Sequence, residues 1–198
     1  EPQDELVISD DGSTDRTLEI IESFHDSRII VVEGPMLGIK KNFENAIMNT
    51  GGRYIFLSDQ DDIWEPDKVQ KVVETFEKTK APVVVHDCQI VSENGNILEE
   101  SFYAFRKSGP GVIKNFLKNT YIGCCMAFDA ALKDAIVPIP LDIEMHDQWI
   151  GIIGDLLGKN VFIEDKLIKY VRHENTASDI FNHHDIGLMI ANRINLFK

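Results

Sequence analysis

The sequence predicts an α/β fold with a mostly parallel central sheet covered by helices on both faces. Three observations carry that expectation. Short apolar runs free of Gly and Pro alternate with stretches of helical period, two of the strand candidates run straight into carboxylate-rich turns, and Gly, Pro and Asn punctuate the joints. In chain order, Glu5–Ser9 is a strand, and Leu18, Ile20, Ile21 and Phe24 mark one side of a helix after it. Ile29–Val32 is the next strand. Ile39, Phe43, Ala46 and Ile47 stripe a helix that ends before Gly51-Gly52. Tyr54–Leu57 reads as a buried strand, and Val69, Val72, Val73 and Phe76 follow on a helix that begins near Pro66, whose fixed φ suits a first turn. Val83–Val85 returns as a strand, Asn94-Gly95 is a turn or hairpin signal, and residues 99 to 111 form a polar, Gly- and Pro-bearing stretch expected to be a mobile loop. Trp149, Ile150, Ile152, Ile153, Leu156 and Leu157 make a nearly all-apolar helix directly behind Asp147.

With 198 residues and 43% hydrophobic content, the chain can bury one sizeable core, so a single domain over residues 1–198 is expected. A net charge of -13 argues against nucleic acid and against simple adhesion to anionic lipid. No stretch approaches a membrane span and no signal peptide is visible, which points to the cytoplasm. Cys88, Cys124 and Cys125 are odd in number and lack metal-site spacing, so they read as buried thiols. His86 and His146 adjoin Asp87 and Asp147 and could orient them. His183 and His184 read as solvated. Trp64 and Trp149 fit core or pocket-wall positions.

The chemistry concentrates in two acidic turns. Asp59-Gln60-Asp61-Asp62 follows the strand at Tyr54–Leu57, at the end of a strand where open α/β sheets bind ligands. Carboxylates packed there repel one another and call for a cation. In an extended segment Asp59 and Asp61 would project to one side and share a divalent ion, and their hard oxygens favour magnesium, manganese or calcium over zinc. The second turn, Asp10-Asp11-Gly12-Ser13-Thr14-Asp15, repeats the pattern. Gly12 permits a tight turn, Ser13 and Asp15 can cap the next helix, and Asp10 or Asp11 can point an acceptor at a base or ribose. Each turn taken alone is equally a set of helix caps.

Four segments in order resemble a family 2 glycosyltransferase with the GT-A fold. They are Val7 to Asp15, then Phe56-Leu57-Ser58-Asp59-Gln60-Asp61-Asp62-Ile63-Trp64, then Glu144-Met145-His146-Asp147-Gln148-Trp149, and more weakly Tyr170-Val171-Arg172-His173-Glu174-Asn175. The resemblance implies that Asp10 or Asp11 bonds the pyrimidine ring of a nucleotide-sugar and that Asp59 approaches the ribose or sugar. It further implies that Asp61 binds Mn2+ or Mg2+ bridging the phosphates, with Asp62 in support. Asp147 would be the base of an inverting transfer, and His173 a further metal or diphosphate contact. The Arg usual two places before that His is Val171 here, with Arg172 beside it. Relatives of this kind begin one strand and helix earlier, so the chain is expected to lack them. The segment from Ile186 to Lys198 resembles an amphipathic helix cut short, leaving room for peripheral membrane association through missing termini. The run from Ser58 to Trp64, with Pro66 and Lys68, is similar to bacterial rhamnosyltransferases of polysaccharide assembly. It implies a dTDP-rhamnose donor, with UDP-hexoses and UDP-N-acetylhexosamines as alternatives, and a saccharide or lipid-linked acceptor; the loop at 99 to 111 is the expected acceptor loop. A nucleotidyltransferase fits less well, since no Gly-rich phosphate loop is present. A calcium- or carbohydrate-binding module lacks the spacing of a calcium loop.

Overall fold

The computed structural model describes residues 2–172. The chain runs through β1 (Leu6–Asp10), α1 (Thr17–Ser23), β2 (Ile29–Glu33), α2 (Ile39–Met48), β3 (Tyr54–Phe56) and β4 (Ile63–Trp64). It continues through α3 (Lys68–Thr79), β5 (Val83–Ser92), β6 (Ile97–Glu99), α4 (Phe102–Arg106) and α5 (Val112–Leu117). The last elements are β7 (Met126–Asp129), α6 (Lys133–Ile136), α7 (His146–Leu157) and β8 (Val161–Arg172). The expected strands and helices up to residue 85 are all present, and α7 lies behind Met145 as the apolar pattern requires.

The α/β class holds, but the sheet is mixed rather than mostly parallel. The main sheet orders its strands β3-β7-β5-β8-β4 with β6 on β5, and among these pairings only β5 with β8 is parallel. β1 and β2 form a separate parallel pair. The sequence misled because its first 85 residues alternate strand and helix, whereas β6 and β7 enter the sheet antiparallel from hairpin and loop connections.

Strand alternation sorts the core onto two faces. Val84 of β5, Ala127 of β7 and Leu167 of β8 pack with Val72 and Phe76 of α3. Val83, Val85, Phe128 and Ile168 point the other way, to a larger core with Ile47 of α2 and Ile150 of α7. Helices therefore do cover both faces. Burying a side chain such as Phe76 in this way contributes about 1.5–3 kcal/mol.

Other differences have local causes. Residues 99 to 111 are not one loop. Ser101 caps α4 by accepting from the Ala104 N–H at 3.1 Å, and Phe102 is buried in the main core. Helix α3 begins at Lys68, with Pro66 in the turn before it. The apolar side of α1 is largely exposed, Phe24 reaching 67%, so helical period alone did not imply burial there. No helix among the described residues is long and apolar enough to cross a membrane. His173, His183, His184 and the helix expected at 186 to 198 lie outside the described residues.

Candidate active site

The acidic loop is fixed at both ends by backbone. Leu57 N–H donates to Met126 O at 3.1 Å, and Glu65 N–H donates to Leu167 O at 2.9 Å, so residues 58 to 64 bridge from β7 to β8 across the strand ends. Within it, Gln60 and Asp61 form a turn. A period-two argument does not survive a turn, and the carboxylates that converge are Asp59 and Asp62, joined by Cys124, with ligand atoms all within 4.8 Å of one another. Asp61, expected to share an ion with Asp59, stands outside that group but acts on both neighbours electrostatically. Cys124 arrives on the short helical turn Gly123–Cys125 that precedes β7.

This cluster is electrostatically loaded. Burial, and then the neighbouring Asp61, raise the Asp59 carboxyl. Burial pushes Asp62 up to about 7, with Asp59 and Asp61 adding to the rise and the Cys124 thiol and Val171 backbone offsetting part of it. Neither carboxylate oxygen of Asp62 has a fully formed hydrogen bond. A buried, unsatisfied carboxylate beside two others is what a hard divalent cation would satisfy. The residues present therefore fit Mn2+ or Mg2+. Burial holds the Cys124 thiol protonated, so the oxygens are the donors. Lys68 lies beneath, its Nζ donating to Cys124 O at 2.9 Å and resting 3.6 Å from the Trp64 ring centre.

Asp147 is the second residue of α7, buried to 7% exposure; Met145, not Asp147, is the N-cap. Its Oδ1 accepts from Asn119 Nδ2 at 3.0 Å and from the Gln148 N–H at 2.6 Å. Burial raises the carboxyl to about 7, and the charges of Asp59 and Glu144 add to the rise, which puts the acidic loop and α7 in one electrostatic site. A carboxylate titrating near neutrality is suited to general-base work. Asn119 is itself oriented, its Oδ1 accepting from the Tyr121 N–H at 3.0 Å and its carbonyl from Arg106 at 3.1 Å. Sequence reasoning missed Asn119, because a lone Asn between Lys118 and Thr120 looks like any loop residue. Lys68 was noted only as part of a resemblance, and Cys124 only as a core thiol.

The other turn separates Asp10 from Asp11. Asp10 is consumed by its own turn: it accepts from the Gly12 N–H at 3.3 Å, the Ser13 N–H at 3.1 Å and the Ser13 hydroxyl. The Ser13 hydroxyl bond leads the causes that lower its carboxyl. Asp11 is exposed and accepts the Met36 N–H at 2.6 Å through Oδ1. Gly34 makes that approach possible, since a Cβ there would lie 2.7 Å from the Asp11 Cα. An open hollow of about 310 Å³ beside the turn is lined by Asp10, Gly12, Leu18, Val32 and Met36. Ser13 does not cap α1; Asp15 accepts from the Thr17 N–H and hydroxyl at 3.0 and 2.6 Å.

The histidines do not orient the carboxylates. His146 stacks on Phe43 at 3.8 Å with neither ring nitrogen bonded, and burial drops it to about 3. His86 Nδ1 meets the Asp87 backbone oxygen, not its side chain, at 2.8 Å. Asp87 is itself spent on structure: it accepts from the Cys88 N–H, the Tyr103 N–H and the Ser101 hydroxyl at 2.8, 3.0 and 2.5 Å.

An α/β sheet with helices on both faces and carboxylates gathered at its strand ends is the architecture of a GT-A glycosyltransferase. Residues 1–137 match the model of glycosyl transferase family 2, and the chain belongs to that family. It is 30% identical over 128 residues to the putative teichuronic acid biosynthesis glycosyltransferase TuaG of Bacillus subtilis (strain 168), covering 62% of this chain and 49% of that protein. It is 29% identical over 187 residues to the dTDP-rhamnosyl transferase RfbG of Shigella flexneri, covering 86% of this chain and 63% of the other. The fold is similar to that of S. aureus TarS 1-349 in complex with UDP-GlcNAc, with a TM-score of 0.69 at 19% identity over 89% of this chain and 52% of TarS 1-349. The chain thus spans between about half and two thirds of these proteins' lengths.

Proposed function

We propose that this domain carries out an inverting, metal-dependent transfer of a sugar from a dTDP- or UDP-sugar to a saccharide or lipid-linked saccharide in surface polysaccharide assembly, at the cytoplasmic face of the membrane. The observation that carries the reading is Asp147. It is a buried carboxylate raised to about 7, held by Asn119 at the start of α7 and electrostatically joined to the acidic loop. Asp147 takes the proton of the acceptor hydroxyl as that oxygen attacks the anomeric carbon. Among the described residues no second carboxylate is paired with it in the manner of a covalent mechanism, which supports one displacement and inversion. Asp59 and Asp62, with Asp61 beside them, hold Mn2+ or Mg2+. The bound ion supplies charge stabilisation for the departing diphosphate. Asp11 rather than Asp10 faces the pyrimidine, because the Asp10 carboxylate is engaged within its own turn.

For the donor, dTDP-rhamnose is the first choice, supported by the long match to a dTDP-rhamnosyl transferase. A UDP-sugar is the alternative. Calorimetry with dTDP and UDP, each with Mn2+ and with chelator, tests the reading. Nucleotide should bind at least tenfold more tightly with the ion, and equal affinity in both conditions would rule out the metal bridge. Transfer from dTDP-rhamnose, UDP-glucose and UDP-N-acetylglucosamine, with the product's anomeric configuration read by NMR coupling, decides donor and stereochemistry. A retained configuration refutes the single displacement.

A further inference from the structure

Lys68 is the first residue of α3 and is 1% exposed, an unusual position for the side chain that most prefers water. Burial pulls its ammonium down to about 8, and its polar neighbours offset part of that cost. One N–H of Nζ goes to Cys124 O at 2.9 Å, and the ammonium rests 3.6 Å from the centre of the Trp64 ring. The counter-charge comes from the acidic loop, since Asp59 and Asp62 both interact with it electrostatically. Its carbonyl partner belongs to the same Cys124 whose thiol lies within 4.8 Å of those carboxylates. The lysines that form ion pairs elsewhere among the described residues do so at 19% side-chain exposure or more. Packing alone would be served by Met or Leu at this place. A charge retained at a desolvation cost points to electrostatic duty.

Charge balance indicates what that duty is. Asp59, Asp61 and Asp62 bring three negative charges when ionised, and one ammonium with one divalent ion neutralises them. Without the ion, Lys68 is the only buried cation at the cluster among the described side chains. We infer that Lys68 is a positioning residue: a resident counter-cation that holds the acidic loop together without metal and weakens the free protein's grip on the divalent ion. The ion then enters with the nucleotide diphosphate and leaves with it. This rests on the metal-dependent reading above.

The test is Mn2+ binding to the 198-residue chain without nucleotide, followed by electron paramagnetic resonance, for wild type, Lys68→Met and Lys68→Arg. Removing the ammonium should tighten Mn2+ binding by about tenfold or more, as expected for deleting a like charge near the ion. It should also lower the melting temperature of the metal-free protein, and Mn2+ should restore it. Lys68→Arg keeps the charge and should stay near the wild-type affinity. A merely structural lysine would leave the affinity unchanged or weaken it on replacement by Met, and either result in a folded variant overturns the inference. If Lys68→Met does not fold, wild-type protein labelled with 15N-lysine answers instead. The Lys68 Nζ signal must move on Mg2+ titration with the same midpoint as metal uptake, and a silent signal overturns the inference. Wild-type protein that takes up no Mn2+ even with nucleotide overturns the metal-dependent reading itself, which distinguishes the two failures.

Discussion

At the scale of single residues, Asp147 and Asn119 act as a unit. Asp147→Asn preserves shape and removes basicity, so transfer should fall by roughly a hundredfold or more while donor binding persists. Steady-state transfer and calorimetry on one variant check this; a rate near wild type would place the base elsewhere. Asn119→Ala removes a donor to the carboxylate. The loss should raise the apparent pKa of the transfer rate, because that hydrogen bond favours the ionised form. A pH–rate profile unmoved by the substitution would leave Asn119 with a loop role only. The position of Asp147 at the start of α7 was legible in the sequence because the Glu144 to Trp149 segment and the apolar run behind it are local. Asn119 was not, since its partner lies 28 residues away and no spacing announces it. The choice between Asp10 and Asp11 was equally closed to sequence, as it turns on which carboxylate its own turn consumes.

At the scale of elements, α7 is seated by its glycines. A Cβ on Gly151 would lie 2.3 Å from the Tyr121 ring, and one on Gly154 would meet Asn160 and Val83 at 2.4 and 2.5 Å. The same contacts carry a polar lock: Tyr121 OH donates to Asp155 at 2.8 Å, and Asn160 donates to Tyr121 OH and Gly151 O at 2.9 and 2.7 Å. Trp149 Nε1 donates to Ile136 O at 2.8 Å, fixing the helix to α6. Gly151→Ala should therefore destabilise the protein by about 1–3 kcal/mol through overpacking, despite alanine's better helix propensity. Chemical denaturation measures it, and a stabilised variant would show that α7 is free to shift. The hydrophobic period revealed α7, whereas nothing in the sequence marks its glycines as the contact surface they form. A similar lesson holds in β5, where register shifts at Asp87 turn that carboxylate toward α4. An irregularity in a strand of valines leaves no mark in the sequence.

At the scale of the whole molecule, the pH response follows from Asp62 and Asp147. Both have an ordinary value of 3.8 and are raised to about 7 in the folded protein, mainly by burial. The folded chain keeps these protons up to about pH 7, while the unfolded chain loses them near 3.8. The metal-free protein should accordingly lose stability as pH rises from about 4 to about 7, then level off. Thermal melts across that range should show the decline, with a smaller slope in Asp147→Asn and in saturating Mn2+; a flat profile contradicts the burial of these ionised groups. Fold class, helices on both faces and the two acidic turns were readable from chain order and local pattern. Strand direction was not, because it depends on where β7 and β8 return after long excursions. That return carries a further consequence. Among the described strands β4, next to the acidic loop, pairs only with β8, and β8 also forms the long parallel ladder with β5. As the polypeptide leaves the ribosome, Asp59 and Asp62 emerge more than a hundred residues before the strand that anchors their loop. The nascent chain carries this cluster of acid groups unshaped until residues near Arg172 have cleared the exit tunnel.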